Sequence, residues 1–510
     1  MKSVVVLSLI LSILHSILFW SKDFGISMFL FVIAGLSILI YILNKNNKIK
    51  NKKALILNVP ILLLSSTYFI FDNSFFYIMN IIAITILFVV MIVLATENKI
   101  KINWLNKGFN ILFRPFELIG ESTVAIVEQL PCKDDEEDSK KNKKVLKQIV
   151  KGILVSLPIL IIVLILLSSA DEMFAGIFGN IGMNILNTIK ITNITPMVCR
   201  LLVIIALLIY FVGFIINIRD NRNIENDDEE LEENLKSKIN IEQITLNTIL
   251  TLLNIIYLVF TITQGIQLFN YIQNTNGLDY ANYARSGFFQ LMTVSFINFA
   301  IIFISNNNKK EGSKLNKNFS KCMNLLMALF TIVILISSVL RMNLYEQKYG
   351  YTFLRLMVYF IQITELILLV PTVFYIINKK VKIFKYYFII ITSMYVLINF
   401  TNIDKIIAES NIARYFESEE QTEIDFKYLR KSTSKDAIPE IIKLLDVEDE
   451  KLKKQVNNYL YNEYQELKEE RSWQEFNLSK NKAQKLLEEL NLEEIRDNSV
   501  RKNNNYSIFY

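Results

Sequence analysis

The residues able to do chemistry in this chain are carboxylates, arginines and tyrosines gathered between long apolar runs. Ser168-Ser169-Ala170-Asp171-Glu172 ends one such run with adjacent carboxylates. A second group, Asp279-Tyr280-Ala281-Asn282-Tyr283-Ala284-Arg285, follows another run, and a third extends from Arg341 through Tyr345, Glu346 and Tyr349 to Arg355. If the three segments share one membrane face, Asp171, Glu172, Asp279 and Glu346 stand opposite Arg285, Arg341 and Arg355. Such a set can fasten helix ends through ion pairs and interfacial tyrosines, or hold a small ligand, a lipid headgroup or a partner. Asp171 or Glu172 could also act as acid or base on a lipid or cell-wall precursor, but no metal set or activated nucleophile accompanies them.

One carboxylate lies apart. Glu365 falls near the middle of an apolar run, three residues after Gln362 and therefore on the same helical face. An ionisable residue at that depth is a candidate proton or cation relay, or else is protonated and hydrogen-bonded to a neighbouring helix. Asn254, Gln264, Gln267 and Asn298 are read as interhelical hydrogen-bonding groups and Arg200 as a snorkelling side chain.

Several chemistries are poorly supplied. His15 is the only histidine, and Cys132, Cys199 and Cys322 have neither disulfide nor zinc spacing. No phosphate-binding loop, dinucleotide fingerprint, nucleophile elbow or HExxH pattern occurs, and 14 glycines leave little material for phosphate-cradling loops. No cofactor or metal is therefore expected, and no recognisable catalytic motif argues for an enzyme. The formal net charge of +6 is spread over short loops and forms no single basic face, so nucleic acid is not an expected partner.

The elements that must position these residues follow from composition. Apolar residues make up 52% of the chain and come in uncharged runs close to the roughly 20 residues that cross hydrocarbon. Backbone polar groups cannot go unpaired in lipid, so each run is expected to be a helix. The runs are Ser3 to Trp20, Gly25 to Leu43, Ala54 to Phe71, Phe75 to Ala95, Ile149 to Ala170, Val198 to Ile218, Ile244 to Phe269, Phe288 to Ser305, Phe319 to Leu340, Leu354 to Ile377 and Tyr386 to Ile403. The expected fold is all-α, a polytopic bundle of about eleven spans in the lipid bilayer, with a small helical, polar C-terminal region.

Alternate loops carry the lysines, beginning with Lys45, Lys48, Lys50, Lys52 and Lys53 and ending with Lys379, Lys380 and Lys382. The positive-inside rule then puts the N-terminus in the cytoplasm, and the odd number of spans puts the tail after Ile403 outside. The first run lacks a small-residue cleavage site and is read as an uncleaved helix. The chain divides into a four-helix membrane region over 1–96, cytoplasmic interfacial helices and a charged linker over 97–148, a core of about seven spans over 149–403, and a tail over 404–510. In the tail, Ser434 caps a helix bearing Ile438, Ile441 and Leu444, a second helix begins near Ser479, and Trp473 and Phe476 anchor the tail to the membrane domain.

The outer segments SSADEMF, GLDYANYARSGFFQL and RMNLYEQKYGYTFLR resemble, in order and spacing, motifs of the bacterial membrane-protein family domain of unknown function 4173. The family's motif positions fall on Asp171 and Phe174, on Tyr280, Tyr283, Ala284, Arg285, Gly287 and Phe288, and on Arg341, Tyr345, Tyr349, Gly350, Thr352 and Arg355. Asp279 and Tyr351 depart from the pattern. The resemblance implies a multi-pass protein of a bacterial cell membrane and no activity.

Three functions remain open from sequence. The first is a non-enzymatic envelope protein whose outer cluster binds a ligand, headgroup or membrane partner. The second is a secondary transporter or channel with a Glu365 relay, which the lack of an evident inverted repeat weakens. The third is a membrane-embedded enzyme on lipid or cell-wall precursors.

Overall fold

A computed structural model describes residues 2–96, 104–129, 194–220, 242–273, 288–308, 313–417 and 424–490. These residues form helices and connecting turns without strands. Ten of the helical stretches are long and apolar enough to cross a membrane. They coincide with ten of the eleven expected spans; the one expected over 149–170 lies outside the described residues. The protein is thus an all-α polytopic helix bundle with a helical polar C-terminal region.

Uncharged length makes the spans, and turn chemistry ends them. Helices α1 (Lys2–Phe19), α2 (Ile26–Lys45), α3 (Asn58–Ile70) and α4 (Ser74–Thr96) come first, with a 3₁₀ turn over Lys52–Leu57 before α3. Two shorter helices, α5 (Trp104–Glu117) and α6 (Ile119–Val127), precede α7 (Ile194–Asp220). Then follow α8 (Gln243–Gln273), α9 (Phe288–Asn307), α10 (Lys314–Tyr349), α11 (Phe353–Ile377) and α12 (Ile383–Phe400). Ser313 caps α10 by accepting from the Asn316 N–H at 3.2 Å.

The chain folds as two units. Unit 1 holds residues 1–69, 79–231 and 471–476. Its α1 presents Ser8, Ser12 and Ser16, all buried and four apart, a small-residue face of the kind that lets membrane helices approach closely. Arg200 on α7 donates through Nε to Ser16 Oγ at 2.7 Å. It therefore reaches across to α1, where the sequence reading has it snorkel. Helices α5 and α6 both lie along α7: Asn217 donates to the Asn110 carbonyl at 2.9 Å, Tyr210 to that of Leu112 at 3.2 Å, and Ala125 packs with Val212 and Ile216. Gly213 makes this approach possible, because a Cβ there would stand 3.0 Å from the Pro115 carbonyl oxygen and 2.9 Å from Ser122 Oγ.

In the same unit, residues 471–476 lie on the α1–α2 turn. The Ile26 N–H donates to the Phe476 carbonyl at 3.1 Å, and Glu475 Oε1 accepts from the Asp23 N–H at 3.1 Å. Phe476 acts there through its backbone, while Trp473 is exposed.

Unit 2 holds residues 70–78, 232–470 and 477–510. Within it α8, α9, α10 and α11 share a core around Leu250, Ile302, Met327 and Leu335. The tail adds α13 (Ile403–Glu417), α14 (Phe426–Ser432), α15 (Ile438–Ile441), α16 (Glu450–Lys468) and α17 (Leu478–Glu489). Ile407, Ile438, Ile441, Leu444, Val456 and Leu460 are fully buried together and make this tail a packed cap, whose core also takes in Phe76 of α4 and Ile398 of α12. Asp449 and Asn477 cap α16 and α17 with side-chain acceptors.

Candidate functional site

Three of the polar groups buried in unit 2 share one face of α10. Asn324, Thr331 and Ser338 recur every seven residues, which keeps them on one side of a helix over about 21 Å. Each meets a different neighbour. Asn324 donates to Ser305 Oγ at 2.9 Å, Thr331 Oγ1 accepts from Asn298 at 3.0 Å, and Ser338 Oγ accepts from Gln362 at 2.6 Å. Asn298 in turn accepts from the Tyr257 hydroxyl at 2.6 Å, so α8, α9 and α10 are joined at one level. Neutral amides and hydroxyls of this kind are the usual fasteners of membrane helices.

Glu365 is the ionisable member. Its side chain is 1% exposed and sits on α11 one turn from Gln362, against Ser295 of α9. Ser295 Oγ is 2.6 Å from Glu365 Oε2 and 2.6 Å from the Met292 carbonyl. A hydroxyl carries one proton, so Ser295 can donate to only one of these acceptors at a time. Both contacts close as hydrogen bonds when the carboxyl carries its own proton and donates it to Ser295. Oε1 of Glu365 and Oε1 of Gln362 are buried without a hydrogen-bond partner. The arrangement can take up or release a proton and exchange its partner in doing so; no covalent chemistry is offered by it.

The outer cluster expected from sequence is divided. Asp171, Glu172, Asp279, Tyr280, Tyr283 and Arg285 lie outside the described residues. Tyr345, Tyr349 and Arg355 are brought together: the Arg355 guanidinium lies 4.4 Å from the Tyr345 ring centroid, and its Nη1 donates to the carbonyls of Tyr349, at 3.0 Å, and Gly350. Arg341 is half-buried one turn earlier on α10. Glu346 turns away to accept from the Tyr351 hydroxyl, while Arg414 of α13 donates to the carbonyls of Glu346 and Lys348, both at 3.1 Å. Arg355 and Arg414 therefore both serve the carbonyls that end α10.

A second group of acids joins the cap to the α3–α4 turn. The Asp72 N–H donates to Asp436 Oδ2 at 2.8 Å, Asn73 donates to Asp404 Oδ2 at 3.0 Å, and Lys480 Nζ lies 3.5 Å from Asp72 Oδ1. Among the described residues no cluster of histidine, cysteine or carboxylate side chains is arranged to hold a metal ion.

Sequence reasoning found Glu365, Gln362, Asn254 and Asn298 by their depth. It missed Thr331 and Ser338, whose seven-residue spacing is the available signal, and it missed Ser295 and the acids Asp72, Asp404 and Asp436, which only the folded packing brings to their partners.

No curated protein and no solved structure matches the chain. The family assignment drawn from the outer motifs, domain of unknown function 4173, is overturned. Those motifs are three short segments, whereas the family model that does match extends over residues 58–444 and so weighs the membrane helices and the start of the cap as well. That match covers about three quarters of the chain, which belongs to the DUF4153 family, a domain of unknown function.

Proposed function

We propose that this chain is a multi-pass protein of a bacterial cell membrane that couples its state to protons or another cation through Glu365, as a secondary transporter or channel. The observation that carries the reading is the Glu365 carboxyl itself, buried between α9 and α11 with Oε2 on Ser295 and Oε1 without a partner. A permanently fixed structural acid would be expected to satisfy both oxygens, since burying an unpaired polar atom is costly. Gln362 completes the relay from one turn away.

Orientation belongs to the same proposal. In unit 2 the cap meets the α3–α4 turn and the α10–α11 turn, and in unit 1 residues 471–476 meet the α1–α2 turn. All three turns alternate with the lysine-rich ones. This supports a cytoplasmic N-terminus and an extracytoplasmic cap.

The test is flux in proteoliposomes under an imposed pH gradient. Wild type is expected to move protons or a cation, and Glu365→Gln to lose the pH-dependent component while inserting normally. A wild type that passes no ion or solute in either direction sinks the reading.

A second reading is supported by Tyr349, exposed beside Arg355: the outer face binds a lipid headgroup, small ligand or envelope partner. It predicts that Arg285→Ala or Arg341→Ala abolishes rescue of a deletion phenotype with the protein still in the membrane.

A further inference from the structure

We propose that unit 1 holds one acyl chain of an anionic phospholipid in a slot between α2, α4 and α7. The slot is a cavity of about 280 Å³ whose lining follows α2 from Met28 to Ile42. At 1.5 Å per residue that wall is about 21 Å long, the proportions of an extended hydrocarbon chain lying along the helices. A cavity of roughly half this volume in a protein interior suffices for benzene.

The walls offer an occupant no free hydroxyl proton. Their two hydroxyls are already used, Thr85 donating to the Ile81 carbonyl at 2.7 Å and Tyr210 to the Leu112 carbonyl at 3.2 Å. Gly35 stands midway along the wall. In membrane helices glycine commonly allows a neighbouring helix to approach, as Gly213 does here, yet a Cβ built on Gly35 meets nothing within 4 Å. Gly35 therefore keeps room beside α2 that no described residue uses.

The mouth selects the headgroup. Lys45 lies three residues beyond Ile42, which lines that end of the slot from α2. The Lys45 ammonium is exposed; it lies 5.5 Å from the Tyr41 ring centroid, and its contacts to Ser3 Oγ and Tyr41 OH are both long, at 3.4 Å. A phosphate diester with no compensating amine is the group that this cationic mouth favours. A chain in the slot and a phosphate at its lysine-rich end describe a phospholipid of one leaflet.

The full-length protein, purified in a non-ionic detergent, is incubated with vesicles of phosphatidylglycerol or of phosphatidylethanolamine and its retained lipid is counted by native mass spectrometry. Wild type is expected to keep one phosphatidylglycerol under activation that strips phosphatidylethanolamine. Gly35→Phe and Thr85→Phe fill the slot from opposite walls, and each is expected to lower that occupancy at least tenfold. Ile10→Phe, on the exposed side of α1, is expected to leave it unchanged, and Lys45→Gln to narrow the preference between the two lipids. If one phenylalanine variant fails to fold, the other carries the test. Wild-type retention in both filled variants, or equal retention of the two lipids by wild type, overturns the proposal.

Discussion

Ser295 Oγ stands 2.6 Å from Glu365 Oε2 while also standing 2.6 Å from the Met292 carbonyl of its own helix. One hydroxyl proton cannot serve both acceptors, so the protonation of Glu365 decides whether both contacts close as hydrogen bonds or only one. Glutamine at 365 supplies a permanent donor in the place of the acid proton. Glu365→Gln is therefore expected to unfold thermally in detergent close to wild type, whereas Ser295→Ala, which strips the carboxyl of its partner, costs about 1–3 kcal/mol. A Glu365→Gln protein melting well below wild type at neutral pH would show that the site needs the carboxylate.

The spans were legible in the sequence because lipid imposes a length and forbids charge, and ten runs stand as helices. The expected limits miss most at α10, which runs from Lys314 to Tyr349 and so carries Arg341, Tyr345 and Glu346 as helix where the hydropathy ends at Leu340. Glu365 was legible for the same reason, as a charge where none is cheap. Its partner was not, because Ser295 is one of many serines and only packing of α9 on α11 selects it. Arg355 shows the opposite limit: its type and position suggest a ligand site, but the guanidinium is engaged by Tyr345 and by the carbonyls at the end of α10. The cap's acids were invisible in sequence, since Asp72, Asp404 and Asp436 are separated by hundreds of residues or by a helix.

Gly350 ends α10 with φ of +75° and ψ of −179°, a conformation that side chains with a Cβ rarely adopt. A Cβ there would also lie 2.6 Å from Asn411 Oδ1, the atom that accepts from the Tyr351 N–H at 2.7 Å. Gly350→Ala is expected to cost about 1–3 kcal/mol and to raise hydrogen exchange in α13 more than in α8. In a Gly350→Ala, Asn411→Ala double variant the clash is gone but the backbone strain stays, so the two costs should fall short of additive. Full additivity would mean that Asn411 does not sense residue 350.

The cap's side of the membrane can be read directly. Reporter fusions after Lys48 and after Asn378 are expected to be active only as cytoplasmic reporters, and a fusion after Lys468 only as an extracytoplasmic one. The expectation follows from the lysine content of the first two turns and from the cap's contacts with Asp72 and Tyr351 in turns of the other parity. A cytoplasmic signal from the fusion after Lys468 would overturn the orientation and remove the outer face from consideration as a receptor for extracellular ligands.

The acids at the cap are expected to make its packing depend on pH, with opposite signs at two places. In unit 2, burial raises the pKa of Asp72, with the nearby Asp436 adding to it against the charge of Lys480, and burial likewise raises Asp404 against its hydrogen bonds from Ser434 and Asn73. A raised acid binds its proton more tightly in the folded state. Its penalty is absent below the ordinary carboxylate range near 4 and grows as pH rises toward the folded value. In unit 1, burial pushes the Glu475 carboxyl up, but the N–H groups of Asp23 and Ser472 and the charge of Lys22 outweigh it and hold the pKa below the usual range. The stability this contributes is present above that range and is lost only as pH falls through the lowered value. On going from pH 7.5 to 5, hydrogen exchange corrected for its intrinsic rate is therefore expected to slow in α13, α14 and α16 while the Asp23 amide stays protected. Asp72→Asn or Asp404→Asn should flatten the first response without touching the second. Protection of α13 that increases steadily between pH 5 and 8 would mean that these buried acids are not the groups governing the cap.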